Sequence, residues 1–136
     1  MSNPVLEKTI NVYASPEKIW RVFTDPMVTR QMGGEYVTDW QVGGAFGWKG
    51  KDGNMYTSGK ILEIEPQKLL KHDLVDIEDQ SALLSTITYD FKPIQTGTSI
   101  SIREEINHEM DEEDLSDTSD GWEFALQAIK DIAEKL

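Results

Sequence analysis

Apolar and polar residues change period twice along this chain. Leu6, Ile10 and Val12 mark an opening strand over residues 5–12. At Ser15-Pro16 the pattern turns helical, with Ser15 as N-cap, Pro16 at the first helical position, and Ile19, Trp20, Val22 and Phe23 at helical spacing. Asp25-Pro26 repeats the start signal and predicts a second short helix from Pro26 to about Met32, ended by Gly33-Gly34. Alternation then takes over, and strands are predicted near 36–42, 45–50, 54–64, 69–75, 83–92 and 98–107. Gly43-Gly44 and Asp52-Gly53 tolerate the positive φ of tight hairpins, and Glu65-Pro66 and Gln95-Thr96-Gly97 mark two further turns. Such short connections favour an antiparallel meander. The end of the chain is helical again. Asp120 and Glu123 are spaced as a capping box, and Trp122, Ala125, Leu126, Ile129, Ala133 and Leu136 form one apolar stripe. Lys130 and Lys135 suit the negative end of that helix's dipole.

The order strand, two short helices, six strands, long helix predicts a two-layer α+β architecture over residues 1–136. A curved antiparallel sheet wraps around the C-terminal helix, and the short helices close one end. Parity selects the covered face: Phe46 and Trp48; Leu70, His72 and Leu74; Leu83, Ser85, Ile87, Tyr89 and Phe91; Ile100, Ile102 and Glu104. Apolar sets with a polar member near one end fit a pocket wall. They also fit plain core, since interiors close-pack and rings such as Trp48, Tyr89 and Trp122 can fill the space themselves. Both readings stand at this point.

Charge narrows the partners. Thirteen basic against 25 acidic residues give a net −12, the opposite of a nucleic-acid footprint and repelled by an anionic membrane. Cysteine is absent, so disulfides, thiolate nucleophiles and cysteine metal sites are excluded, which suits a reducing cytoplasm. No apolar run approaches a membrane span, and the first residues show no secretory signal.

Several motifs then occur in one order: Ala14-Ser15-Pro16-Glu17-Lys18-Ile19-Trp20, Thr24-Asp25-Pro26, Val42-Gly43-Gly44-Ala45-Phe46, Asp52-Gly53 and Gly59-Lys60-Ile61-Leu62-Glu63-Ile64-Glu65-Pro66. Ser85 through Pro93, Gly97-Thr98 and Gly121-Trp122 follow. In these the chain resembles, nearly end to end, the single-domain homologues of the heat-shock-protein ATPase activator. That family lies within the START-like, or birch-pollen-allergen-like, helix-grip superfamily (SRPBCC). The resemblance implies the helix-grip fold with a cavity between the long helix and the sheet. It does not fix one function, since the family includes co-chaperones, handlers of lipids or polyketides and proteins of unknown role; stress response is the setting it suggests. The full-length activator carries a separate N-terminal chaperone-binding domain. This chain is expected to lack it, and ATPase stimulation with it. Where the family often has an aromatic in the strand ending near Leu74, this chain is aliphatic.

His72 is the best acid–base candidate, since its ring can titrate near neutrality and parity turns it inward. An inward Glu104 calls for a partner or a raised pKa. Together they could act as an acid–base pair or orient a polar ligand head, and the second is favoured because no nucleophile accompanies them. The reading therefore leans away from an enzyme; a cyclase or hydrolase using His72 and Glu104 is the alternative. No metal or cofactor is expected. His72 and His108 are far apart, and Asp111-Glu112-Glu113-Asp114 lacks calcium-loop spacing and reads as a solvated loop. The leading expectation is a cytoplasmic module holding a small hydrophobic ligand against Trp48, Tyr56, His72, Tyr89, Glu104, Trp122 and Leu126. A co-chaperone-like regulator acting through its acidic surface is the second. The chain is expected to be a monomer or weak homodimer, with Phe124, off the stripe, as a possible contact.

Overall fold

A computed structural model describes residues 3–136. Strand β1 (Val5–Val12) leads into helix α1 (Pro16–Thr24), where the Ser15 side chain accepts from the Lys18 N–H and Pro16 opens the first turn. Asp25 ends α1 and at once caps α2 (Pro26–Thr29), accepting from the Met27 N–H. A 3₁₀ turn, Arg30–Met32, closes the segment, and Gly33 at φ 95° makes the left-handed exit that side-chain-bearing residues avoid. Thr29 locks this corner. Its buried hydroxyl lies 2.5 Å from the Val22 carbonyl.

Seven strands follow: β2 (Gly34–Thr38), β3 (Phe46–Gly50), β4 (Met55–Thr57), β5 (Ile61–Glu65), β6 (Leu69–Val75), β7 (Leu83–Ile94) and β8 (Gly97–Ile106). Strands β5 to β8 form the expected meander, and β1 completes it beside β8, giving the order β1-β8-β7-β6-β5. Strands β2-β3-β4 make a second small sheet. The two are stitched by bridges between Ala45 and Lys60 and between Ser58 and Val75.

The structure departs furthest from the sequence reading at two of the predicted strands. The predicted strand 36–42 ends at Thr38, because the chain turns at Asp39-Trp40. The Asp39 carboxylate accepts from the Gln41 N–H, and Trp40 takes a left-handed φ of 58°. That puts the Trp40 ring against Trp20, Tyr36 and Phe46. The predicted strand 54–64 is two strands. Around Gly59 the chain crosses from β3 to β6, and a Cβ there would lie 2.1 Å from the Asp73 carbonyl.

The larger correction concerns the C-terminal helix. Helix α3 runs Glu112–Ala133, so Asp120 and Glu123 lie inside it and form no capping box. Asp111 is the N-cap, accepting from the Asp114 N–H at 2.8 Å. The run Asp111–Asp114, expected as a solvated loop, is thus the cap and first turn, where acidic side chains favour the positive end of the helix dipole.

Parity nominates the covered face well. Phe46, Leu70, Ser85, Ile87, Tyr89, Phe91, Ile100 and Ile102 are buried, and only Leu83, at the strand's start, is exposed. Leu126, Ile129 and Ala133 of α3 are buried against this core, all from the helix's C-terminal half.

Candidate functional site

Rings fill one end of the space under α3. Phe23 meets Phe91 and Tyr89 edge-on and stacks on Tyr36, and Trp20 meets Phe91 edge-on. Toward the middle of α3 the filling stops, and a cavity of about 480 Å³ remains, open to solvent on the side where Gly121 and Phe124 are exposed. The helix itself supplies the reason. Gly121, Ala125 and Ala128 stand at i, i+4 and i+7 and give α3 a stripe of small residues along the cavity, with the Trp122 ring and the exposed Phe124 of the same helix at its borders. Opposite lie Ile87 and Tyr89 of β7, Leu74 of β6 and Glu104 of β8, with Tyr36 and Trp48 closing the side. The volume falls within the range of small-molecule sites.

Trp48 is held by its neighbours. It pairs with Tyr36 across β2 and β3, the rings meeting edge-on at 4.9 Å. Its indole lies over Gly34, where an added Cβ would come within 2.8 Å of the ring. Trp122 meets Tyr89 edge-on and donates its Nε1 proton to Oε1 of Glu104 at 2.8 Å. This is the partner the inward carboxylate needed, and it ties α3 to β8 beside the cavity. Glu104 is 9% exposed.

The phenols stay protonated over the ordinary pH range. Burial pushes Tyr36 up to about 12, partly offset by the neighbouring Tyr89 hydroxyl. Burial first, then Tyr36 and the charge of Glu104, raise Tyr89 well above its usual range. Both are therefore neutral hydrogen-bonding groups in an apolar wall.

Trp48, Tyr89, Glu104 and Trp122 of the expected contacts border the cavity; three do not. Tyr56 lies on β4, 57% exposed and hydrogen-bonded to Asp52, because the hairpin turns it outward. Leu126 points into the core beside the cavity, one helical step from Ala125. His72 is 3% exposed and lies behind the wall, its ring 4.2 Å from that of Phe46 and 6.0 Å from that of Tyr89. Its Nδ1 is 3.0 Å from the Asp73 carbonyl, which can only accept, so the proton sits on Nδ1. Burial lowers its pKa to about 4. His72 and Glu104 are both in register with Ile87, one on each side, which separates their backbones by two strand spacings, ~10 Å. They make no direct pair.

Sequence reasoning missed Tyr36 and the small residues of α3. Tyr36 could have been found by pairing β2 with β3 across the Gly43-Gly44 turn, since cross-strand partners share a face. The signal on α3 was the spacing of its smallest residues.

Among the described residues no group of histidines and acids is placed to hold a metal ion, and no helix is long and apolar enough to cross a membrane. Comparison with known proteins bears on the whole chain. The family model described as Activator of Hsp90 ATPase homolog 1-like protein matches residues 13–134. No curated protein matches significantly in sequence. Among solved structures, protein MLL2253 from Mesorhizobium loti superposes with a TM-score of 0.80 at 19% identity, over 97% of this chain and 98% of that one. The Aha1 dimer from Colwellia psychrerythraea gives 0.78 at 19%, over 96% of each chain. CalU16 from Micromonospora echinospora gives 0.71 at 22%, over 95% of this chain and 74% of its own. At these identities the likeness is one of fold.

Proposed function

The chain belongs to the Activator of Hsp90 ATPase homolog 1-like family, and from that premise we propose that it is a binding module whose ligand is a small, largely apolar molecule seated between α3 and the sheet. The family and its fold support a ligand-binding or co-chaperone-like module. One observation favours the first. About 480 Å³ stays open beside the Gly121-Ala125-Ala128 stripe, although large rings pack the core next to it. Proteins normally close-pack, and a few larger side chains on α3 would have filled this space.

Catalysis by His72 and Glu104 is not part of this reading. A neutral imidazole behind the wall, with Ile87 between it and the carboxylate, cannot exchange a proton with Glu104 directly.

The test uses native mass spectrometry for a retained molecule and titration with an apolar fluorescent probe. Ala125→Trp places an indole in the cavity. It should abolish probe binding while leaving the unfolding free energy within about 1 kcal/mol of wild type. Leu126 is unsuitable for this purpose, since a larger residue there would overpack the core. Unchanged probe binding in Ala125→Trp would remove the cavity from consideration.

The second reading rests on the acidic exterior and the family. A chaperone-type protein partner would be held by charge, and its affinity would fall steeply with salt. Apolar uptake would barely respond.

A further inference from the structure

Glu104 is the only charged side chain among the residues that line the cavity. One of its oxygens accepts from Trp122, and a carboxylate has acceptor sites on both. It borders an apolar space with no basic residue to balance it. A neutral apolar ligand entering there would strip water from this carboxylate and return nothing, which is costly. An anion would meet Glu104 and a chain of net charge −12.

The rest of the lining has a matching chemistry. Tyr36, Trp48, Tyr89, Trp122 and, at the exposed rim, Phe124 bring five aromatic rings to the same cavity. Aromatic walls attract organic cations through the electron density of their faces, and desolvation strengthens the effect. Leu74 and Ile87 leave surface for an apolar body.

Taking the cavity to be a ligand site, as above, we propose that its ligand is a small organic cation, an amine or quaternary ammonium group bound by Glu104 and the surrounding rings and carrying an apolar body. The carboxylate sets the sign of the ligand, the rings select a weakly hydrated head over a metal ion, and the aliphatic wall takes the tail.

Calorimetric titration of the full chain at fixed ionic strength tests this with three probes of one alkyl body: hexyltrimethylammonium, 1-hexanol and hexanoate. The cation should bind at least about tenfold tighter than the alcohol, and hexanoate weakest. Glu104→Gln keeps an acceptor for Trp122 and should cut the preference for the cation to under about twofold while hexanol binding persists. Ala125→Trp should abolish cation binding, which locates it even if Glu104→Gln folds poorly. Equal or tighter binding of hexanol or hexanoate overturns the inference but leaves the cavity reading intact. So does a cation preference that survives in a folded Glu104→Gln variant. If no probe binds, both fall.

Discussion

His72 illustrates how one residue's chemistry depends on its burial. In the unfolded chain an imidazole titrates near its ordinary 6.5; here burial lowers it to about 4. The native state therefore binds fewer protons than the unfolded state between these values. The resulting contribution to stability is complete above about pH 6.5 and is lost as pH falls toward 4, to a total of about 3 kcal/mol. Urea unfolding of wild type and His72→Asn across pH 4–7 should show this: the variant retains a donor for the Asp73 carbonyl but should lose less stability on acidification. Parallel pH profiles would show that His72 is not the titrating group. The side chain's inward direction was legible from strand parity. Its neutrality was not, since that follows from Phe46 and Tyr89 packing over the ring.

The elements divide by how local their causes are. The caps of α1 and α2 are local signals, a short polar side chain followed by proline, and they appear where the sequence puts them. Helix α3 shows a local signal hidden by another. Ser116, Asp117, Thr118, Ser119, Asp120 and Gly121 are poor helix formers, which makes the helix seem to start after them. The Asp111 cap, the acidic first turn and continuation into the packed stripe carry the helix through. Because this half buries little, its cap should matter. Asp111→Ala should cost about 1 kcal/mol. Hydrogen exchange in residues 112–121 should rise well before the Leu126–Ala133 segment responds. Uniform exchange along α3 would mean that the helix opens only as one unit.

On the scale of the whole molecule, charge and shape act separately. A net −12 on 136 residues is self-repelling in the compact state. Raising sodium chloride from 0.01 to 0.15 M shortens the screening length from about 30 to about 8 Å and should stabilise the fold by about 1 kcal/mol, or about 4 °C in the unfolding midpoint. A falling midpoint would show that surface pairs such as Lys8–Glu123 and Lys130–Glu134 outweigh the repulsion. The cavity is a property of the same scale. It forms because two sheets, joined at Ala45–Lys60 and Ser58–Val75, curve around a helix that bridges to them through Trp122 but faces them elsewhere with Gly121, Ala125 and Ala128.

What the chain determines alone is what depends on neighbours a few positions away: strand alternation, turn glycines, caps, the meander and the covered face. These follow from fixed geometric periods and from conformations only certain residues adopt. Which of the candidate residues border the cavity was left to the tertiary structure. Tyr56, His72 and Leu126 shared the right residue type with Trp48 and Trp122, yet a hairpin's outward turn, a covering ring and one helical step placed them elsewhere. A void is the difference between the volume that a backbone encloses and the volume its side chains fill. The first of these quantities exists only once sheets and helix have met in three dimensions.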